Sequence, residues 1–297
     1  MIGERGGKIY NGDIKIFGPR PSGKFTFLVA LACYRNSSPN SPVLSVQSNG
    51  RDSEYLIGMG RDILQWGQVL PPIRMEEINS YCLSITLKSS FNIISVFHKG
   101  LIKLVASYTP YAGEWFEVLK TSGEWDSDLD YVFDDLASAN QVIFLFDSTS
   151  SQRDTEYAQA ISVLRDELSK RSNSPDDKKR YAIVFSKIDL SPEFFYLSDL
   201  NGFIRMKFPK LFSEFQKWSK HGNCSFRYFA CSAFGMIGNP PKPNAVRAPD
   251  IGSNVDAGCG WALKEPNAWQ PFGLVAPIYW LLTGKDDPRL LYYPLFS

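Results

Sequence analysis

The chain has 297 residues, 44% of them hydrophobic and 21% charged, which is the composition of an ordinary globular protein with one large or two small domains. Its 32 Lys and Arg residues nearly balance its 31 Asp and Glu residues, so the net charge indicates no general surface for nucleic acid or acidic membrane. The five cysteines form no Cys-x-x-Cys pair and the chain has only two histidines, so we predict no structural zinc site and a reducing compartment. No run approaches the ~20 apolar residues of a membrane helix, and the first residues lack a signal-peptide core. We therefore expect a cytoplasmic protein with no membrane span and no nucleic-acid partner.

The first predicted elements are a strand, a loop and a helix between residues 8 and 34. Ile14 and Ile16 alternate with polar residues as in a strand, and the apolar run at 27–32 predicts a helix. A Ser- and Pro-rich loop follows at 37–42.

The loop between that strand and helix has the spacing Gly-x-x-x-x-Gly-Lys, formed by Gly18, Gly23 and Lys24. Such glycines let backbone N–H groups converge on an anion, and the lysine adds positive charge at the β- and γ-phosphates of a nucleotide. A Ser or Thr usually follows the lysine and binds Mg²⁺, but Phe25 stands here. Thr26 does not replace it, because one further helical residue turns the side chain by about 100°. The sequence therefore predicts a phosphate loop without its magnesium-binding hydroxyl.

Strand and helix signals alternate along the rest of the chain, which predicts a mostly parallel sheet flanked by helices in an α/β fold. Two continuous apolar runs, at 141–146 and 181–185, are typical of strands covered on both faces. The other predicted strands are Tyr81 to Leu87, Ile93 to His98, Leu101 to Ser107 (after a turn at Lys99-Gly100) and Phe226 to Ala230. The predicted helices are a mixed segment ending near Trp66, one beginning near Glu114, and segments at 151–171, 208–220 and 271–282. The helix at 151–171 has a capping-box-like start at Ser151 and Asp154.

The segment 236–270 is rich in Pro, Gly and Asn and has little periodicity. We treat it as a long irregular insertion in one domain that spans residues 1–297. Irregular loops of this length are usually functional or disordered. Trp261 and Trp269 favour an ordered segment, either contacting a partner or packed on its own domain.

Polar groups follow two consecutive predicted strands. Ser186-Lys187-Ile188-Asp189 comes after one strand, and Ser232-Ala233-Phe234 after the next. The carboxyl ends of neighbouring parallel strands meet at the edge where open α/β sheets bind ligands.

The phosphate loop and these two groups, in this order, resemble the nucleotide-binding boxes of the Ras-like P-loop GTPases of the TRAFAC class. The resemblance covers most of the chain and implies a P-loop NTPase three-layer sandwich. Within that class, Pro71-Pro72, the segment 112–116 and the C-terminal segment at 271–282 resemble the bacterial double-GTPase proteins linked to conflict systems. The resemblance implies that GTP or GDP is bound by Gly18, Ser22, Gly23, Lys24, Phe25, Thr26, Ser186, Lys187, Asp189, Ser232, Ala233 and Phe234.

The base-recognition boxes imply a preference for guanine. Asp189 would accept hydrogen bonds from guanine N1–H and its 2-amino group, which adenine lacks. Lys187 would lay its alkyl stem along the base and ribose, and Ser186, in place of Asn or Thr, would brace the loop. Backbone N–H groups near Ser232 would bind the guanine O6, and Phe234 stands where the family has Lys.

The metal positions of the family are apolar in this chain. They fall on Phe25, Ile73 and Pro110, and no Asp or Glu occurs from residue 91 to residue 113. Because Mg²⁺ demands oxygen ligands, we predict no tightly held Mg²⁺ and impaired hydrolysis. Glu114 takes the place of the water-orienting Gln, where its negative charge would oppose a triphosphate.

The sequence thus predicts a pseudo-GTPase that binds GTP or GDP and acts as a switch or scaffold on a protein partner, which could be a catalytically intact GTPase relative. Two alternatives stay open. One is an active GTPase with a non-standard metal site. The other is an interaction domain that keeps the fold, packs Phe25, Ile73 and Pro110 as core or loop residues, and binds no nucleotide.

Overall fold

The computed structural model describes residues 7–34, 41–66, 79–88, 100–120, 127–171, 178–191, 194, 199–221, 224–247 and 261–291. Ile73, the neighbouring Pro71-Pro72, and the predicted strand at 93–98 with the turn residue Lys99 lie outside these ranges.

A seven-stranded sheet forms the centre of the structure. Its strands are β1 (Lys8–Phe17), β2 (Val43–Asn49), β3 (Tyr81–Lys88), β4 (Leu101–Pro110), β5 (Gln141–Asp147), β6 (Lys179–Ser186) and β7 (Cys224–Ala230). Their order is β2-β3-β4-β1-β5-β6-β7. The neighbouring pairs β4–β1, β1–β5, β5–β6 and β6–β7 are parallel, whereas β2–β3 and β3–β4 are antiparallel. The predicted α/β fold with a mostly parallel sheet is confirmed.

Helices cover both faces of the sheet and bury two separate apolar clusters. The helices are α1 (Lys24–Ala32), α2 (Arg51–Trp66), α3 (Gly113–Val118), α4 (Ser127–Ser138), α5 (Asp154–Arg171), α6 (Leu200–Lys207), α7 (Pro209–His221) and α8 (Val275–Thr283). Residues of α1, α2 and α8 belong to one cluster, and residues of α3 to α7 belong to the other. The chain is therefore a three-layer α/β structure. In the part of the chain that the structure describes, no helix has the length and apolarity needed to cross a membrane.

The alternation of side chains along β5 explains its continuous apolar run. Ile143 and Leu145 belong to the cluster with α1 and α8, whereas Phe144 and Phe146 belong to the opposite cluster. Both faces of a central parallel strand are covered, so every position is apolar. The second cluster is rich in aromatic rings; Phe144, for example, packs on Trp218 with ring centroids 5.9 Å apart.

Asp154 has a different role from the one predicted. Its carboxylate accepts hydrogen bonds from Lys210 N and Leu211 N, both at 2.9 Å. It therefore satisfies backbone donors at the start of α7 rather than those of its own helix, which begins at Asp154 itself. The predicted helix at 208–220 is α7, which begins at Pro209; this proline disfavours helical geometry at Phe208 and so separates α7 from α6. Helices α4 and α6 were not predicted.

The segment 236–270 is more regular than its sequence indicates. It contains β8 (Met236–Ile237) paired with β9 (Lys242–Pro243), and β10 (Ala245–Arg247) paired with β11 (Trp261–Leu263). Buried Trp269 donates from Nε1 to Ala233 O at 2.6 Å. The described part of the insertion is thus packed on its own chain; residues 248–260 lie outside the description.

Candidate functional site

The loop after β1 has the geometry of a phosphate loop. A 3₁₀ turn at Arg20–Ser22 is followed by Gly23, whose φ of 79° lies in the left-handed region that favours glycine. Gly18 is required for a different reason, because a Cβ there would lie 2.1 Å from Leu145 O of the neighbouring strand. Helix α1 begins directly at Lys24. These two glycines let the chain turn tightly from β1 into α1.

Lys24 is buried beneath this loop. Its Nζ donates to Gly18 O at 2.7 Å and to Pro19 O at 3.0 Å. Burial lowers the pKa of Lys24 to about 7, against the opposing influence of the Glu114 and Glu117 charges. In the described residues no carboxylate lies within ion-pair distance of Nζ. An ammonium group has three protons, so the two carbonyl bonds leave one to donate to an anion in the loop.

The side chains of Phe25 and Thr26, which follow Lys24, lie in different environments. Half-buried Phe25 packs on Tyr81, at the start of β3, with ring centroids 6.3 Å apart. Thr26 lines the cleft described below. Phe25 is therefore a packing residue against the first apolar cluster.

The end of β6 lies beside the phosphate loop. Ser186 donates its hydroxyl to Ser22 O at 2.7 Å and lies 3.1 Å from Phe146 O. It thus braces the loop from the neighbouring strands, which is the role predicted for it.

Lys187 binds the phosphate loop as well. Its Nζ donates to Pro21 O at 2.5 Å and to Asp147 Oδ2 at 2.6 Å. Its backbone has φ 55°, and it is the one non-glycine residue with a positive φ in the described ranges. Such strain persists only where surrounding contacts enforce it and clusters at functional sites.

Asp189 is a buried carboxylate in the same cleft, with 5% of its surface exposed. Desolvation raises its pKa to about 6, although a hydrogen bond from the Ser232 hydroxyl and the Lys187 charge oppose this rise. Burying a carboxylate is costly unless its hydrogen-bonding capacity is met. Asp189 lines the cleft, so a ligand there can reach its carboxylate.

The end of β7 forms the remaining wall. Ser232 exchanges backbone hydrogen bonds of 3.0 Å with Phe272, and its hydroxyl accepts from Gly235 N at 2.7 Å. Ala233 and Phe234 line the cleft. The anchoring of Phe272 explains why α8 begins at Val275, four residues later than the predicted start of the helix at 271.

The phosphate loop and the ends of β6 and β7 enclose one cleft of about 480 Å³, counting its open mouth. Residues from all three predicted boxes line it: Ser22, Gly23, Thr26, Ser186, Lys187, Asp189, Ala233 and Phe234. Four predicted site residues are not among those that line it: Gly18, Lys24, Phe25 and Ser232.

Sequence reasoning missed two contributors. Trp261, from β11 of the insertion, lines the cleft; no motif marks it, although its position in an aromatic-containing insertion indicates an ordered segment. Asp147 follows the apolar run of β5, a place that indicates a turn residue. It accepts from Thr149 N at 2.9 Å, as a turn residue does, and it also forms an ion pair with Lys187.

Two of the three positions compared with metal ligands, Phe25 and Pro110, lie within the described residues and do not fit a magnesium ion. Pro110 ends β4 in register with Ile16, next to the phosphate loop, and presents no side-chain oxygen. Within the described residues, no three His, Cys, Asp or Glu side chains cluster as metal ligands. The absence of tightly held Mg²⁺ stays a prediction.

Glu114 lies at the start of α3 and pairs with Arg20 of the loop, with Nη2 and Oε1 2.5 Å apart. The structure thus brings the predicted water-orienting position into contact with the phosphate loop.

The solved structures that are similar to this chain include two complexes with GDP. One is an ADP-ribosylation-factor-like GTP-binding protein, the small COPII coat GTPase Sar1 of Encephalitozoon cuniculi in complex with GDP, with a TM-score of 0.34 and 13% identity over 75% of this chain and 69% of that one. The other is a variant of Era from Aquifex aeolicus bound to GDP and AlF4⁻, with a TM-score of 0.32 and 15% identity over 75% of this chain and 52% of that one. No protein-family model matches the chain, and no curated protein matches it in sequence. The strand order, the two helical layers and the phosphate loop give the chain an α/β P-loop NTPase fold.

Proposed function

We propose that this chain binds a guanine nucleotide, GTP or GDP, in the cleft between the phosphate loop and the ends of β6 and β7. The observation on which the proposal depends most is Asp189, a carboxylate that is buried and lines that cleft. A buried carboxylate is stabilised by two neighbouring N–H donors, which guanine offers at N1 and at its 2-amino group. Adenine has no such pair of donors on one edge.

The phosphate end of the cleft supports the same proposal. Lys24 is held by two loop carbonyls, and α1 begins at that residue. Backbone N–H groups at a helix start and a lysine together make a site for an anion. Ser186 and Lys187 connect this end to the base end, because both donate to carbonyl groups of the phosphate loop.

We further propose that the chain is a pseudo-GTPase, with weak Mg²⁺ binding and impaired hydrolysis. Phe25 packs on Tyr81 and Pro110 offers no ligand, so two of the family's three metal positions are apolar in the structure. Phosphoryl transfer depends almost entirely on positioning and charge neutralisation, and the loss of the metal removes both. The nucleotide then serves as a signal to a protein partner, which could be a catalytically intact GTPase relative.

An exchange of specificity tests the base assignment. Asp189→Asn replaces one acceptor oxygen by an amide donor, which matches xanthine, whose 2-position presents an oxygen instead of an amine. We expect this variant to lose about 100-fold in affinity for GTP and to gain affinity for xanthosine triphosphate. Calorimetric titration of both proteins with both nucleotides measures the exchange.

Ser138→Ala is a control that removes an exposed hydroxyl bonded only to Asp135 O, outside the cleft. It should leave both affinities unchanged. If Asp189→Asn keeps its preference for GTP, Asp189 does not read the base.

A further inference from the structure

The P-loop arginine Arg20 is paired with a carboxylate in the structure. Its Nη2 lies 2.5 Å from Glu114 Oε1, and 56% of the Arg20 side chain and 24% of the Glu114 side chain are exposed. The arginine is thus the solvent-facing member of the pair, and the glutamate is the more buried one.

The backbone holds these two residues together. Gly113, which precedes Glu114, packs so closely on the loop that a Cβ there would lie 2.3 Å from Arg20 Cα and 2.4 Å from Arg20 N. Arg20 begins the 3₁₀ turn and stands between Pro19 and Pro21, whose rings fix their own φ angles. The start of α3 is thus in contact with the phosphate loop.

Glu114 has an incomplete set of partners in this position. Its second oxygen, Oε2, is buried and has no hydrogen-bond partner among the described residues. Its charge acts on buried Lys24, the lysine beneath the phosphate loop. A phosphate bound by Lys24 would meet the negative charge of Glu114 in a poorly solvated setting, where like charges repel strongly. The phosphate and Glu114 therefore compete for the positive charge of Arg20.

We propose that Arg20 is a second phosphate-binding side chain, beside Lys24, and that it exchanges partners: it pairs with Glu114 in the absence of a terminal phosphate and binds the γ-phosphate of GTP when that nucleotide occupies the cleft. The planar guanidinium binds a phosphate through two parallel hydrogen bonds and replaces one anionic partner by another. Arg20 then supplies positive charge where the metal positions are apolar, and it makes the site prefer GTP to GDP. This inference rests on the proposed nucleotide binding.

The exchange also gives the start of α3 two states. Glu114 loses its partner when GTP binds, whereas GDP leaves the pair intact. Hydrogen exchange of the backbone amides at 113–118 should become faster with GTP than with GDP, since the contact that fixes the start of the helix is lost.

The test measures GTP and GDP affinities in EDTA for the wild-type chain, Arg20→Ala, Arg20→Lys and Glu114→Gln. We expect Arg20→Ala to lower the affinity for GTP by about tenfold and to change that for GDP little. Arg20→Lys should recover only part of the loss, because lysine lacks the planar fork. Glu114→Gln should raise the affinity for GTP, because it removes both the competing partner and the repulsion.

Arg51→Ala is the matched control, since Arg51 is an exposed arginine at the start of α2, outside the cleft. It removes the same charge from the chain and should leave the ratio of GTP to GDP affinity unchanged. Only 24% of the Glu114 side chain is exposed, so Arg20→Ala leaves a mostly buried carboxylate unpaired and should lower the unfolding temperature. Thermal unfolding of every variant therefore accompanies the titrations, which are made at a temperature where each variant is folded.

The outcomes distinguish a failure of the partner exchange from a failure of the proposed nucleotide binding. If the wild-type chain binds GTP but Arg20→Ala weakens GTP and GDP equally, or not at all, the exchange is wrong and nucleotide binding stands. If Glu114→Gln weakens GTP binding, Glu114 is a ligand rather than a competitor, and the exchange is also wrong. If no guanine nucleotide binds the wild-type chain, both proposals fail.

Discussion

At the scale of single residues, burial brings two oppositely charged groups of the cleft close to neutrality. It lowers the pKa of Lys24 to about 7 and raises the pKa of Asp189 to about 6. Lys24 faces the charges of Glu114 and Glu117, and Asp189 faces Ser232, Lys187 and Asp147. The proposed ligand requires a cationic Lys24, which exists below its pKa, and an anionic Asp189, which exists above its pKa.

This gives nucleotide binding a narrow pH window. Above about pH 7 the empty site loses the proton of Lys24, and below about pH 6 Asp189 gains one, so binding must add or remove a proton. We expect the affinity for GTP to be highest between these values and to fall by up to about tenfold per pH unit on either side. Titrations from pH 5 to pH 9 in buffers of different ionisation enthalpy measure the affinity and the proton exchange. An affinity that is constant across this range would contradict the account of both residues.

The residues of the cleft were predictable to different degrees. Lys24 and Asp189 follow from spacing, because glycines before a helix and a polar group after a buried strand are local patterns. The ion pair of Lys187 with Asp147 joins the ends of two strands, β6 and β5, and the sequence gives no signal for such a pair. Trp261 reaches the cleft from an insertion whose path depends on tertiary packing.

At the scale of elements, the contact between α3 and the phosphate loop depends on Gly113. A side chain at this position would overlap backbone atoms of Arg20, which cannot move without displacing the loop. Gly113→Ala should therefore lower the free energy of unfolding by about 2 kcal/mol or more. It should also weaken nucleotide binding, because the loop and the helix must separate.

Gly58 provides the matched comparison. It is an exposed glycine within α2, and a Cβ there would meet no atom within 4 Å. Gly58→Ala should be neutral or should stabilise the chain by up to about 1 kcal/mol, as expected in the interior of a helix. Urea unfolding of the two variants decides the matter: equal effects would mean that the α3 contact does not constrain the loop.

The element boundaries show where local patterns fail. The helix at 151–171 has clear apolar periodicity, yet its predicted cap Asp154 binds the start of α7, 56 and 57 residues further on. The same pattern of Ser151 and Asp154 can cap its own helix or a distant one, and only the tertiary structure determines which helix Asp154 caps. The start of α8 is delayed in a similar way by the bonds between Phe272 and Ser232.

At the scale of the whole molecule, the fold was predictable because the sheet is buried on both faces. Continuous apolar runs such as 141–146 and 181–185 mark central parallel strands, and the intervening helices follow from connectivity. The edge of the sheet was less predictable. Strand β2 is half-exposed and lacks a clear alternation, so its sequence indicates only a short apolar stretch.

The central claim is that a cleft built for guanine nucleotide binds it without the usual metal. The most direct test is calorimetric titration of the nucleotide-free chain with GTP, GDP and ATP, each in Mg²⁺ and in EDTA. We predict that GTP and GDP bind, that ATP does not, and that EDTA changes the guanine affinities by no more than about threefold. Guanine binding that disappears in EDTA would contradict the metal-free site and favour an active GTPase, and no binding of any nucleotide would contradict the proposed function itself.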